Sequence, residues 1–112
     1  MYTCLCVTIM LNPHTDSSVA ELADLFRLLG DHTRLRIVLA CVDEPIAVSD
    51  IAARLELSGS LVSHHLRLLR AARIVKADRQ GKQVFYAAAD QHISHVLADM
   101  LEHITEEHTE SD

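Results

Sequence analysis

With 112 residues and a formal net charge of −6, the chain is sized for one domain with a single modest core, near the length at which pairing with a second copy helps. Apolar residues make up 49% of it, but Trp is absent and there are only 2 Tyr and 2 Phe, a composition suited to aliphatic helices packed on one another. No stretch reaches the roughly 18 apolar residues of a membrane span, the apolar start lacks the basic leader of a secretory signal, and 3 Cys form no disulfide framework, so a reducing cytoplasm is the expected location.

In chain order, residues 1–16 read as a flexible arm, with Asn12-Pro13 breaking any helix; Met10 leaves open a later natural start. Ser17 or Ser18 can cap a first helix through Leu29, which carries Val19, Leu22, Leu25, Phe26 and Leu29 at helical spacing, and Gly30 ends it. Asp31 caps a second helix, His32 to about Val42, with Leu35, Val38, Leu39 and Cys41 facing inward. Asp43-Glu44-Pro45 is a loop, and Val48 to Leu55 a short third helix. After the tight link at 56–59, Ser58 caps a fourth helix to Ala71 or Ala72. Two short helices joined this way form a helix-turn-helix. Residues 73–78 alternate as a strand, Arg79-Gln80-Gly81-Lys82 turns the chain, and 83–87 run back as a hairpin. The expected class is mainly α with a small β-hairpin, a winged helix-turn-helix domain over 17–108 followed by an acidic tail at 109–112.

The last helix, Asp90 to His108, carries the densest chemistry. Asp90, His92, His103 and Glu106 are all competent metal ligands. Eleven residues advance a helix by about 1,100°, so His92 and His103 share a face but lie about 16 Å apart along it. One ion, holding imidazole nitrogens at about 2.0–2.1 Å, cannot reach both within one helix. Two copies packed antiparallel bring them together, with Asp90 and His92 from one chain and His103 and Glu106 from the other in each of two sites. His103 and Glu106 stand at i and i+3 and can chelate together; Asp90 and His92 can do so only if Asp90 sits at the helix cap. The apolar stripe Ile93, Val96, Leu97, Met100, Leu101 and Ile104 needs a cover that a partner helix supplies. Against this stands the ordinary reading of such residues as a solvated face.

Charge is polarised. Between 67 and 82 the chain carries Arg67, Arg70, Arg73, Lys76, Arg79 and Lys82 against Asp78 alone. From Asp99 on it carries acids and no Lys or Arg. In the fourth helix Leu61, Leu66 and Leu69, with Val62 or Leu68, are placed inward. Ser60, Ser63, His64 and Arg67 then face a DNA major groove. His65 reads as a packing residue.

The runs L-L-G-D-H-T-R-L-R-I, S-D-I-A-A-R-L and S-G-S-L-V-S-H-H-L-R-L-L-R, with the R-Q-G-K hairpin, resemble the ArsR/SmtB family of metal-responsive repressors over roughly 18–108. The D-x-H followed by H-x-x-E is similar to that family's zinc-sensing site in the last helix. The resemblance implies a homodimer through the first and last helices and a two-fold operator DNA. It also implies DNA contacts from Ser60, Ser63 and His64, phosphate contacts from Arg67, Arg79 and Lys82, and a link from His103 to the backbone near Arg73.

Two imidazoles and two carboxylates favour Zn²⁺, with Co²⁺ as a tetrahedral mimic. Ni²⁺ would draw further ligands from His95, Glu102, Glu107 or His108. The arsenic-sensing E-L-C-V-C-D-like run is missing, since Pro45 to Asp50 contains no thiol. Cys4, Cys6 and His14 offer a second ion site lacking its usual third-helix Cys, and Cys41 reads as an apolar filler. Four protein ligands leave no open position for catalytic water, and no nucleophile motif or phosphate loop is present, which excludes an enzyme. A purely structural zinc dimer and a thiol-based trigger remain the rivals.

Overall fold

The computed structural model describes residues 15–110, and side-chain surroundings for 15–106. Among the described residues, five helices and three strands follow in the order α1 (Asp16–Leu29), α2 (His32–Val42), β1 (Ile46–Ala47), α3 (Val48–Leu55), α4 (Gly59–Ala71), β2 (Val75–Gln80), β3 (Gln83–Ala88) and α5 (Gln91–Glu110). The class is the expected one, mainly helical with a small antiparallel sheet in the order β1-β3-β2.

Local side chains set most helix starts. Asp31 accepts the Arg34 N–H at 2.9 Å, Ser58 the Leu61 N–H at 3.1 Å, and Asp90 the Ile93 N–H at 3.1 Å, each satisfying an orphan donor of the first turn. The first helix starts earlier than expected. Thr15, not Ser17 or Ser18, is the cap, its hydroxyl accepting the Ser18 N–H at 3.2 Å. Asp16 adds an acid in the first turn, where the helix dipole favours it. The expected arm therefore shortens by two residues, and its remainder, 1–14, lies outside the described residues. At the other end α5 runs through Glu110, two residues past the expected stop. The tail assigned to 109–112 thus falls partly within α5 and partly outside the described residues.

Both helices of the helix-turn-helix end alike. Glu56 and Arg73 have φ of 58° and 63°. Behind them Leu57 N–H bonds to Ala52 O at 2.9 Å and Ile74 N–H to Leu69 O at 2.9 Å. These are Schellman closures with a non-glycine residue in the left-handed position. Arg73 therefore ends α4 rather than starting the strand, and β2 begins at Val75. The hairpin turn narrows to Gly81-Lys82, with Gln80 paired to Gln83. Gly81, at φ 66°, supplies the positive φ that a two-residue hairpin turn demands. Arg79 accordingly lies within β2, opposite Val84. β1, in the two residues left unassigned between the expected loop at 43–45 and the helix from Val48, pairs Ile46 with Tyr86 and Ala47 with Phe85.

The core joins α2, α3, α4 and the sheet: Ile37, Val38, Cys41, Ile51, Val62, Leu66, Leu69, Ile74 and Val75 are fully buried or nearly so. Among the described residues, α5 contributes Leu97 alone to the buried set and α1 contributes nothing. Among the described residues no helix is long and apolar enough to cross a membrane.

Candidate functional site

α4 presents one polar face. Ser60, His64 and Arg67 are exposed and Ser63 is half-buried, while Val62, Leu66 and Leu69 are buried on the opposite side. Leu61 corrects the sequence reading: it is 39% exposed, as is Leu68 at 38%. The two stand seven residues apart, so they share a flank, and the buried stripe runs through 62, 66 and 69 instead. His65 borders that stripe and is half-buried, as expected of a packing residue. Its Nδ1 is buried without a hydrogen-bond partner. Burial holds the imidazole below the usual histidine range, helped by the Arg34 and His64 charges and opposed by Asp31. Asp31 is held below the usual carboxylate range chiefly by the Arg34 N–H it accepts.

Arg79 and Lys82 are exposed on the wing. Neither they nor Arg67, Arg70 and Lys76 join an ion pair among the described residues, whereas Arg73 pairs with Glu21 at 3.5 Å. That contact spans 52 positions of sequence (73 minus 21) and has no local signal. The recognition face and wing thus carry positive charge free to meet phosphates, although the whole chain is acidic.

The two halves of the metal constellation are placed differently. Asp90 stands at the cap of α5, and its Oδ1 lies 3.6 Å from His92 Nδ1. Two donors on one tetrahedral ion are about 3.4 Å apart when each bond is about 2.0–2.1 Å, so this pair fits a shared ion to within a few tenths of an ångström. The capping hydrogen bond uses one lone pair of Oδ1 and leaves the carboxylate further acceptor sites. His103 and Glu106 are exposed three turns along the same helix. Among the described residues no group of three or more His, Cys, Asp or Glu is gathered for a metal within one chain. Arg73, the expected end of the link from His103, lines the cleft that Asp90 and His92 also line.

Cys41 is fully buried in the core, as an apolar filler would be, and burial pushes its thiol up to about 12. Cys4, Cys6 and His14 lie outside the described residues.

The model of the bacterial regulatory protein family named arsR matches residues 31–77, from the cap of α2 into β2. The transcriptional regulator CmtR of Mycobacterium tuberculosis is 41% identical over 83 residues, covering 74% of this chain and 70% of that protein. The chain belongs to the ArsR family of bacterial regulatory proteins. A SmtB homolog of Synechocystis, described as a transcriptional repressor, is 38% identical over 86 residues; the match covers 77% of this chain and 65% of that relative's length. Among solved structures, the homodimeric winged helix-turn-helix DNA-binding domain of a possible ArsR-family regulator from Mycobacterium bovis has a TM-score of 0.75. It is 24% identical and covers 88% of this chain and 93% of its own, a likeness that shows the winged-helix fold. ArsR-family membership makes the chain a transcriptional regulator, not an enzyme.

Proposed function

We propose that this ArsR-family protein is a dimeric, zinc-responsive repressor of the cytoplasm that holds a two-fold operator when metal-free and releases it when Zn²⁺ binds between subunits. The Asp90–His92 pair carries the reading. Two donors meet at chelating separation at the start of α5, and His103 and Glu106 lie about 16 Å further along that helix, a gap a second antiparallel copy closes. Zn²⁺, when bound, supplies a four-coordinate tie between the start of one α5 and the end of the other.

Apolar exposure supports the pairing. Val19, Leu22 and Phe26 on α1, with Val96, Met100, Leu101 and Ile104 on α5, are each about half exposed. The groove between the two helices encloses about 150 Å³ and has an apolar lining apart from His92. The homodimeric M. bovis domain and the repressor named in Synechocystis agree with it. In the dimer α5 sets the separation of the two α4 helices, and half-site spacing makes DNA affinity sensitive to that separation. Ser60, Ser63 and His64 read base edges and nearby backbone, and Arg67, Arg79 and Lys82 hold phosphates. His103 passes the signal through a hydrogen bond towards the backbone at Arg73, where the left-handed turn ends α4.

The test is fluorescence anisotropy of operator-like DNA with the metal-free protein, then with Zn²⁺, Co²⁺ and Ni²⁺ in turn. Zn²⁺ is expected to weaken binding at least about tenfold, a coupling of about 1.4 kcal/mol, and His103→Gln to reduce that response. A response to Ni²⁺ without Zn²⁺ would instead favour nickel and a larger ligand set including His95. Loss of the dimer on chelation, with no gain in DNA affinity, would make the zinc structural.

A further inference from the structure

We infer that Arg70, Arg73 and Lys76 form a docking surface for the acidic end of a second copy's α5. This rests on the antiparallel dimer proposed above and adds a metal-independent contact to it. The three cations line a cleft of about 630 Å³, bounded also by α1, the start of α5 and the residues Glu21, Asp90 and His92. Arg73 is engaged by Glu21 at 3.5 Å, and Asp90 is engaged at the α5 cap. Arg70 and Lys76 join no ion pair among the described residues, so the cleft keeps uncompensated positive charge.

Position supplies the occupant. Leu25, His92 and Ile93 line both this cleft and the apolar groove between α1 and α5, so a helix seated along the groove continues into the cleft. In an antiparallel pair with residue 103 of one copy opposite residue 92 of the other, everything beyond 103 projects past the start of the facing α5. That is where Ala89, Lys76 and the end of α4 lie. The seven steps from His103 to Glu110 reach about 10 Å at 1.5 Å each. This end carries Glu106, Glu107, Glu110 and Asp112, and no Lys or Arg follows Lys82 in the chain. The acidic end of one copy thus meets the basic cleft of the other, twice by symmetry. Because Arg70 belongs to the last turn of α4, the contact ties each recognition helix to the opposite subunit before any metal arrives.

The experiment is sedimentation equilibrium of the full chain with chelator and without DNA, from about 50 mM salt upward. Three variants are compared with the unmodified protein: Arg70→Glu with Lys76→Glu, Glu107→Lys with Glu110→Lys, and all four together. Each double reversal is expected to weaken dimerisation about tenfold at low salt, since a few exposed pairs repeated by symmetry sum to that size. The fourfold variant should return to within about threefold of the unmodified chain, and the differences should fade near 1 M salt. The unmodified dimer itself should weaken as salt rises, a measurement that needs no variant. A dimer indifferent to salt and to both reversals, or a fourfold variant whose losses simply add, would overturn the inference and leave the dimer standing. An unmodified chain that is monomeric throughout would remove the dimer reading, and this inference with it.

Discussion

The helix-turn-helix half and the outer helices are built from similar aliphatic residues but bury them to opposite degrees. Ile37, Ile51, Leu66, Leu69 and Ile74 are fully enclosed among α2, α3, α4 and the sheet, whereas Val19, Leu22, Phe26, Met100 and Ile104 stay about half exposed on α1 and α5. The reading head closes its own core within one chain. The outer layer is one side of an interface whose other side a second copy is proposed to supply. Stability of the single chain is therefore concentrated away from the helix that carries Asp90, His92, His103 and Glu106, which leaves that helix free to respond to ligands without unfolding the head.

That contrast breaks most visibly in the core. Leu66→Ala should cost about 2–5 kcal/mol in urea unfolding, independent of protein concentration. Phe26→Ala, removing a side chain 57% exposed in one chain, should change single-chain stability by no more than about 0.5 kcal/mol. It should still lower the urea midpoint of concentrated samples by weakening the dimer. A loss as large as that of Leu66 at all concentrations would place Phe26 in the core of one chain and erase the distinction. A smaller effect of opposite sign is expected at the end of α3. Glu56 holds a left-handed backbone at φ 58°, which costs a non-glycine residue about 1–3 kcal/mol. Glycine returns about 0.5–1 kcal/mol of that through its own entropy, so Glu56→Gly should stabilise the head by about 1 kcal/mol.

The smallest effect is on pH dependence. The folded chain holds His65 below its ordinary value of 6.5, mainly through burial. The unfolded chain therefore takes up the proton first. The contribution is fully present above 6.5 and is lost as pH falls through the folded value. The urea midpoint should drop on acidification through this window, and His65→Gln should flatten part of that slope. An unchanged slope would show that the ring is not desolvated by its packing against α2.

What the sequence made legible was local chemistry. Asp31, Ser58 and Asp90 announce helix starts because each capping oxygen reaches an N–H three residues on. Gly81 announces the hairpin because few other residues tolerate its φ. β1 was missed because two residues cannot display a period. Thr15 was passed over for Ser17 or Ser18 because any of the three has a capping hydroxyl, and only the folded chain selects among them. Leu61 was placed inward because a leucine at the edge of an apolar stripe looks like its buried neighbours; packing against α2 and α3 decides for Val62. The Arg73–Glu21 pair joins distant segments and leaves no pattern. The closeness of Asp90 and His92 was legible because the two lie within one turn. Their proposed complement depends on a second molecule, so it followed only from helix length.

The most direct test of the central claim mixes two damaged chains. One carries Asp90→Ala with His92→Ala, the other His103→Ala with Glu106→Ala, and neither should bind Zn²⁺ tightly alone. In a mixed dimer the intact start of one α5 faces the intact end of the other at one site, while the second site loses all four ligands. Equimolar mixing, read by competition with a chromophoric zinc chelator, should restore tight binding at one ion per mixed dimer. Mixed dimers that form but bind no better than the two variants apart would contradict a site shared between subunits.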